Sequence, residues 1–195
     1  SEPIMNTKYD LIVIGAGPAG YVGAIRGSQL GLITAIVEKD SPGGVCLNVG
    51  CIPTKALLKN AEVVRTVETK AEEFGISFDN LSIDYSAAYE RSRQISQRLV
   101  KGVELLFKKN KIDVYRGTAR LTGDRKVEIE PEEGETITLD GKNILLAAGA
   151  RPRSLPGLEI DGKRIITYLD AIMSPDLPES VIVIGAGPIG MEFAS

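Results

Sequence analysis

The sequence of 195 residues contains no histidine and only two cysteines. Without histidine, the chain lacks the side chain that most often serves as an acid, a base or a metal ligand near neutral pH. Two cysteines are too few for a scaffold held together by disulfides. They stand close together, however, at Cys46 and Cys51, and this closeness indicates a local thiol function.

Long hydrophobic runs are also missing. No apolar run reaches the length of a transmembrane helix, and Ser1–Asp10 lacks the apolar stretch of a secretory signal. We therefore expect no membrane association and a cytoplasmic location, or an organellar matrix if a transit peptide has been removed. Ser1–Ile4, before Met5, is expected to lie outside the fold. The net charge of −3 and the scattered basic residues indicate no binding of nucleic acid.

The beginning of the sequence has the order of an α/β unit. Apolar runs over Tyr9–Ile14 and Leu32–Val37 predict two buried parallel strands, with a helix to about Leu30 between them. A glycine motif, GAGPAG, joins the first strand to the helix through Gly15, Gly17 and Gly20. Glu38 follows the second strand.

This arrangement predicts a dinucleotide site. The glycines allow a tight turn and close approach to a pyrophosphate, which the helix N-terminus would bind. A carboxylate at Glu38 can accept hydrogen bonds from a ribose diol. The alternative is a glycine-rich turn that only packs a helix on a sheet, which leaves the placement of Glu38 unexplained.

The two cysteines lie in the segment GGVCLNVGCIPTK, residues 43–55, in a loop that begins at Pro42 and leads into a helix. A helix N-terminus favours a thiolate, and Lys55 follows Cys51 by one turn. Two neighbouring thiols can form a dithiol–disulfide couple. They could also be buried structural thiols or half of a zinc site. Zinc needs four ligands, which this chain does not offer, so we predict no metal site.

The middle of the chain predicts two helices and then strands. Apolar residues at helical spacing mark Thr54–Phe74 and Tyr85–Lys109, whose stripes favour core packing over partner binding. From Asp113 the period becomes two, and VYRGTARL, KVEIEP and ETITLDG predict an antiparallel meander. A buried strand is predicted over Ile144–Ala150.

An internal repeat marks a second α/β unit, because VIGAGPAG at 13–20 returns as VIGAGPIG at 183–190. Val181–Ile184 is predicted to be its first strand. We therefore divide the chain into an incomplete domain over residues 1–150, a connection over 151–180 and the start of a second domain over 181–195. The chain is expected to be part of a longer protein.

The stretch Tyr9–Lys55 resembles the flavoprotein disulfide reductases of the pyridine nucleotide–disulfide oxidoreductase family. The segment around the cysteines is most similar to members that oxidise dihydrolipoamide with NAD+. Glutathione and mercuric reductases share the cysteine spacing but usually carry valine where Leu47 and Ile52 stand. The resemblance implies a Rossmann-like FAD-binding domain with an antiparallel β-meander, followed by the truncated start of a Rossmann-like NAD-binding domain.

The resemblance also implies roles for individual residues. The ADP half of FAD would be held by Gly15, Gly17, Gly20 and Glu38. Catalytic roles would fall to Cys46 as interchange thiol, to Cys51 as the thiolate beside the flavin, and to Lys55 near the reactive flavin nitrogen, paired with Glu192. Backbone at Gly117 would approach the adenine. Further cofactor contacts would come from Ala148, Gly149 and Ala150 to the flavin cofactor, and from Gly185, Gly187, Gly190 and Glu192 to NAD.

Two departures from the family pattern concern the flavin site. Family members usually have threonine where Val45 and Ala148 stand in this sequence. Each change removes a hydroxyl near the cofactor, and one lost neutral hydrogen bond costs about 0.5–1.5 kcal/mol. FAD binding would be weakened but not excluded.

The implied activity is the oxidation of dihydrolipoamide carried by the lipoyl domain of a 2-oxo acid dehydrogenase or glycine-cleavage complex, in a homodimer. In the family, a histidine–glutamate pair from the other subunit acts as the base, so a chain limited to these residues is expected to be inactive. One alternative is a glutathione- or mercuric-reductase type of enzyme that uses NADPH. Another is a non-catalytic FAD-binding fragment. The choice between NAD and NADP is expected to depend on residues after Ser195.

Overall fold

The computed structural model describes residues 7–195, so the expectation for Ser1–Ile4 lies outside the described residues. This part of the chain divides into two compact units. One is formed by the described residues up to Asn48 together with Arg98–Arg151, and the other by Val49–Gln97 together with Pro152–Ser195. The first unit contains the sheet, and the second contains mainly helices.

The sheet of the first unit has six strands in the order β3-β2-β1-β6-β5-β4. Their bounds are β1 Lys8–Ile14, β2 Thr34–Glu38, β3 Asp113–Arg116, β4 Thr118–Gly123, β5 Lys126–Glu130 and β6 Ile137–Leu146. The strands β3, β2, β1 and β6 are parallel to one another. On its other side, β6 pairs with β5, and β5 pairs with β4, so that β4, β5 and β6 form an antiparallel meander. The predicted α/β class, with a meander added to a parallel sheet, is therefore confirmed.

Consecutive residues are buried in β2 and at the end of β1, so both faces of the sheet are covered there, which accounts for their apolar sequences. The helix α1, Pro18–Gln29, packs on β1, β2 and β6. Its buried positions are the small residues Gly20, Ala24 and Gly27, which let the helix axis lie close to the sheet. The core cluster of this unit combines residues of β1 and β2 with Val127, Ile129 and Leu139 of the meander.

Two strand predictions were wrong in their pairing. VYRG was assigned to the meander, but Asp113–Arg116 pairs in parallel with β2, and the meander begins after Gly117. The segments ETITLDG and ILLAAGA were predicted as separate strands, but most of the first and the beginning of the second form the single strand β6. Its end is not buried as predicted, since Leu146 is 64% exposed. Alternation with a period of two is the same for either partner, so it cannot identify the neighbour.

The helices outside the sheet are α2 Gly44–Val49, α3 Cys51–Lys70, α4 Tyr85–Lys109, α5 Tyr168–Met173 and α6 Pro188–Ala194. The bounds of α4 are confirmed. The predicted helix over Thr54–Phe74 starts earlier, at Cys51, and its last residues form a short 3-10 turn over Glu72–Phe74. The predicted connection after residue 150 contains α5, which begins with a capping box between Thr167 and Asp170. None of the helices in residues 7–195 combines the length and the apolar character needed to cross a lipid bilayer.

The segment between Pro42 and Gly50 was predicted to be a loop, but it also contains the helix α2. The side-chain amide of Asn48 donates hydrogen bonds to the carbonyls of Pro42 and Gly44, at 3.0 and 2.9 Å. Leu47 is buried. These contacts stabilise a helix of six residues that its own sequence would not sustain in isolation.

Val181–Ile184 was predicted to be a strand, and this prediction was wrong for the described residues. The segment has no strand pairing, and its four side chains are between 38 and 91% exposed. A β-strand requires a hydrogen-bonded neighbour. Within residues 7–195, the six strands of the sheet pair only with one another.

A partly buried polar cluster is formed by side chains of β1 and β3. The hydroxyl of Tyr9 donates to Asp113 Oδ2 at 2.8 Å and lies 2.7 Å from the hydroxyl of Tyr115. Burial, together with the hydrogen bonds to Tyr115 and Asp113, raises the pKa of Tyr9. Tyr9 is therefore neutral at physiological pH and serves as a hydrogen-bond donor in the core.

Asp10 connects β1 with β6 and with the residue that precedes β2, and leads to a prediction on pH dependence. Its carboxylate accepts from Lys142 Nζ at 2.7 Å and from the backbone N–H of Ile33 at 2.9 Å. These bonds, that from Lys142 first, hold the pKa of Asp10 below its usual value. The carboxylate therefore stabilises the fold above the pKa of an unfolded aspartate, about 4, and this stabilisation is lost as pH falls further.

In Asp10→Asn we expect a lower urea midpoint at pH 7 than in the unmodified protein. We also expect a smaller loss of stability between about pH 5 and pH 3, the window of about one unit either side of the pKa of an unfolded aspartate. Urea unfolding followed by circular dichroism measures both quantities. Asp79→Asn, in an exposed loop, is the control. An unchanged pH dependence in Asp10→Asn would contradict the assigned contribution.

Candidate functional site

The first glycine loop joins β1 to α1 and packs tightly against its surroundings. The N–H of Gly15 donates to the carbonyl of Val37 at 2.8 Å, which ties the loop to β2. A Cβ at Gly20 would overlap the carbonyl oxygen of Gly15. Only glycine at position 20 therefore lets the first turn of α1 approach the end of β1, as the motif predicts.

The N-terminus of α1 has backbone N–H groups without acceptors inside the helix. Gly17 is the N-cap and Pro18 occupies the first turn. No side chain among the described residues caps this terminus, and its first turn carries no acidic residue. The first-turn donors and the positive end of the helix dipole are thus available to an anion.

Glu38 ends β2 beside this loop, as predicted. Its Oε2 accepts from the backbone N–H of Ala16, inside the glycine loop, at 2.7 Å. Its Oε1 accepts from the backbone N–H of Asp40 at 2.9 Å. Each carboxylate oxygen has further lone pairs, so the group can also accept from a ligand hydroxyl.

Gly117 lies directly beside Glu38, since its N–H donates to the Glu38 carbonyl at 3.1 Å. Its φ of 148° is rarely adopted by other residues, and a Cβ there would lie 2.5 Å from the carbonyl oxygen of Glu130. The change of direction between β3 and β4 therefore requires glycine at this position.

Two further segments reach the same loop. After β6, the N–H of Ala147 donates to the carbonyl of Ile14, and Ala148 lies against Gly15. Gly149 and Ala150 follow and are exposed. Before α2, the N–H of Gly43 donates to the carbonyl of Ala16 at 2.8 Å.

The approach of α2 to the loop is close enough that a Cβ at Gly44 would lie 2.7 Å from Gly17 Cα. The helix carrying Cys46 is therefore positioned by the glycine loop itself. Cys46 is half-buried within α2. Both cysteines were predicted to lie in a loop that leads into one helix. For Cys46 this was wrong, because Cys46 lies within α2, which is separate from the helix that begins at Cys51.

Cys51 is the first residue of α3 and is exposed. The turn that follows it is held at Thr54, whose N–H and hydroxyl both donate to the carbonyl of Gly50, at 3.1 and 2.7 Å. Pro53 is fully buried beneath this turn. Cys51 and Lys55 thus share the first turns of α3, as the sequence indicates.

Lys55 and Glu192 are brought together although 137 residues separate them. Lys55 Nζ lies 2.5 Å from Glu192 Oε1. Both side chains are partly open to solvent, at 57% and 31% exposure, so the pair contributes little to stability. The pairing implied by the resemblance is present in the second unit.

The second glycine loop repeats the local geometry of the first. Gly185 has a φ of 115°, against 97° for Gly15. A Cβ at Gly190 would overlap the carbonyl oxygen of Gly185, just as at Gly20. The loop opens α6, where the N–H of Met191 donates to the carbonyl of Gly187. The repeat in sequence is therefore a repeat in structure.

One residue near the site was missed by the sequence analysis. Arg116 Nη1 donates to the carbonyl of Asp40 at 2.9 Å, in the loop after Glu38. The only available signal in the sequence was its position directly before Gly117. A single arginine at the end of a short strand indicates no partner by itself.

Comparison with known proteins agrees with this geometry. A family model described as pyridine nucleotide-disulphide oxidoreductase matches residues 9–195. Dihydrolipoyl dehydrogenase of Chlorobaculum parvum is 48% identical over 189 residues, which are 97% of this chain and 40% of that protein. The enzyme of the same name from Rhizobium etli is 49% identical over 207 residues, covering 98% of this chain and 43% of that protein.

Among solved structures, a copper(II) complex of the HOCl-induced flavoprotein disulfide reductase RclA from Escherichia coli superposes with a TM-score of 0.81. It is 27% identical, and the match covers 98% of this chain and 40% of that one. The chain thus spans about 40% of the length of the curated relatives it matches.

Proposed function

The chain belongs to the pyridine nucleotide-disulphide oxidoreductase family, and on that basis we propose that the whole protein oxidises dihydrolipoamide with NAD+ as the acceptor. The observation that carries the proposal is the identity of 48% over nearly the whole chain with a dihydrolipoyl dehydrogenase. The matched stretch includes both cysteines and both glycine loops.

The first unit fits the ADP half of FAD. The uncapped N-terminus of α1 offers N–H donors to a pyrophosphate, and Glu38 offers a carboxylate fixed by Ala16 and Asp40 to a ribose diol. The flavin, when bound, supplies the two-electron chemistry between the thiols and the nicotinamide. Ala148–Ala150 would line the flavin cofactor, and Gly117 the adenine.

The proposed role of the cysteines is disulfide exchange with the substrate. In the oxidised protein, Cys46 and Cys51 would form a disulfide. A substrate thiolate would attack Sγ of Cys46, the disulfide would break, and Cys51 would leave as a thiolate. The second substrate thiolate then attacks the mixed disulfide, which closes the substrate disulfide and releases Cys46 as a thiolate. Counted from the dithiol, the substrate loses two electrons, which reduce the cysteine disulfide to two thiolates, and its two protons go to solvent when its thiols ionise.

Lys55 and Glu192 would act beside the flavin. The ion pair holds the ammonium group of Lys55 on the first turns of α3, the helix that begins at Cys51. A fixed cation there would stabilise negative charge on Cys51 or on the flavin ring. The second glycine loop, Gly185–Gly190, would bind the pyrophosphate of NAD.

The partner would be the lipoyl domain of a 2-oxo acid dehydrogenase or glycine-cleavage complex. We also propose a homodimer and a cytoplasmic location. These proposals rest on the similarity to dihydrolipoyl dehydrogenases.

Two assays on the whole protein test the function. Purified protein should carry flavin absorbance and should reduce NAD+ when dihydrolipoamide is added. Free dihydrolipoamide and a lipoylated domain should be compared as substrates. A flavin-containing protein that ignores dihydrolipoamide would overturn the substrate assignment while leaving the family unaffected.

The E. coli neighbour is a flavoprotein disulfide reductase. It favours a second candidate, a disulfide reductase that works in the opposite direction. Its identity of 27% is well below that of the dihydrolipoyl dehydrogenases. Oxidation of NADPH with glutathione disulfide, in the absence of any lipoamide reaction, would support this candidate.

The ribose contact leads to a further prediction. In Glu38→Ala, the affinity for FAD should fall by about 1.5–3 kcal/mol, roughly ten- to a hundredfold, because a charged hydrogen-bond acceptor is lost. Titration of the apoprotein with FAD, followed by flavin fluorescence, measures the change. Glu90→Ala, on the exposed side of α4, is the control. Equal FAD affinity in Glu38→Ala and the unmodified protein would remove the ribose assignment.

A further inference from the structure

The loop after Glu38 is held by an arginine on a neighbouring strand. Arg116 is the last residue of β3, and its Nη1 donates to the carbonyl of Asp40 at 2.9 Å. The following residue, Gly117, donates its N–H to the carbonyl of Glu38. The last residue of β3 and the residue after it therefore bind the main chain on both sides of Lys39.

The contact of Arg116 with Asp40 influences the position of the Glu38 carboxylate through the peptide between Lys39 and Asp40. Oε1 of Glu38 accepts from the N–H of Asp40, so its position depends on where the peptide between Lys39 and Asp40 lies. Oε2 is fixed separately by Ala16 in the glycine loop. Release of Asp40 would leave the carboxylate with a single anchor, at Oε2, so that its orientation would be less restricted.

An arginine suits this position because its fork reaches two acceptors at once. While Nη1 binds the Asp40 carbonyl, Nη2 lies 3.7 Å from Oε1 of Glu104 on α4. Both charged side chains are about half exposed, at 62% and 47%. Such a pair adds little to stability, so its main consequence is the orientation of the guanidinium.

We propose that Arg116 is a positioning residue for FAD, which acts by holding the loop at Asp40 and thereby fixing Glu38 for the hydroxyls of the adenosine ribose. The inference rests on the proposed function, because it assumes that FAD binds at the first glycine loop. Glu104 fixes the arginine from the side of α4.

The test compares two ligands in the whole protein after removal of its cofactor. One is FAD, and the other is an FAD analogue that lacks both hydroxyls of the adenosine ribose. Arg116→Met removes the donors but keeps most of the aliphatic stem. Arg120→Met, on the exposed strand β4, is the matched control. Dissociation constants come from fluorescence titration, and unfolding temperatures show whether each variant is folded.

We expect Arg116→Met to bind FAD about three- to tenfold more weakly than the unmodified protein, as for the loss of one hydrogen bond. For the analogue, the two proteins should have the same affinity. The control should bind both ligands normally. Equal weakening for both ligands would mean a general structural role and would overturn the inference, as would unchanged affinity for FAD.

Should Arg116→Met fail to fold, Arg116→Lys gives the same comparison, because lysine keeps the charge but cannot bind Asp40 and Glu104 together. If the unmodified protein binds no FAD, the proposed function is overturned, and the inference with it. If the unmodified protein binds FAD, and the Arg116 variants bind both ligands as the Arg120→Met control does, the inference alone is wrong.

Discussion

The Cys51→Ser variant of the whole protein is expected to lose dihydrolipoamide-dependent reduction of NAD+ by about 10³-fold or more. A serine hydroxyl cannot form the disulfide or leave from it as a thiolate, so the exchange with substrate has no starting point. Cys51 is exposed at the start of α3, and serine is of similar size. The protein should therefore fold normally and keep its flavin.

The measurement is steady-state NADH formation at equal flavin content. Cys46→Ser should lose the same activity, because both sulfurs are needed for one disulfide. Thr54→Val, which alters the same turn of α3 without removing a thiol, is the control for structural disturbance and should keep most of the activity. Substantial turnover in Cys51→Ser would show that the substrate does not react through this cysteine pair.

The second large effect is expected at Gly20. In Gly20→Ala, the new Cβ would overlap the carbonyl oxygen of Gly15, which belongs to the backbone and cannot move without displacing α1 from β1. Overpacking of this kind costs about 1–3 kcal/mol, and the overlap with backbone suggests the upper end of that range. The same displacement moves the N–H groups of α1, so FAD should be lost during purification.

Gly102→Ala is the matched control, since the substitution is identical and the site differs. Gly102 lies in α4, and a Cβ there would meet no atom within 4 Å. Alanine favours helix over glycine by about 0.5–1 kcal/mol, so this variant should be unchanged or slightly more stable. Urea unfolding and flavin content measure the two effects.

Gly190→Ala distinguishes the loss of stability from the loss of FAD in the same experiment. Its Cβ would overlap the carbonyl oxygen of Gly185 in the second loop, so strain is expected there too, but FAD should be retained. Normal stability and normal flavin content in Gly20→Ala would contradict the close packing of the first loop.

The first part of the site could be predicted well because its signals are local. The strand, the glycine loop, α1 and β2 follow one another within 31 residues, from Lys8 to Glu38. Apolar runs, glycine spacing and the acidic residue at the strand end all indicate the same unit. The contact of Glu38 with Ala16 then follows from the fact that adjacent parallel strands end at the same edge of the sheet.

Contacts that join distant segments were not predictable in the same way. Arg116 and Asp40 lie 76 residues apart, and nothing in either short segment identifies the other. The pairing of β3 with β2 instead of the meander belongs to the same class. The pairing of Lys55 with Glu192 was anticipated only through the resemblance to a family.

The sequence by itself determined the element types and the chemistry on offer. Periodicity distinguishes helix from strand, as the matching bounds of α4 show, and two cysteines without histidine leave thiol chemistry as the main possibility. These properties depend on residues within a few positions of one another, so they are present before the chain folds.

Only the tertiary structure decided which strands are neighbours, that α2 forms against the glycine loop, and that Val181–Ile184 stays unpaired in the described residues. A strand or a short helix is marginal alone, and its stability comes from partners supplied elsewhere in the chain. Which partner is available depends on the packing of the whole unit, and that information is not contained in any single segment.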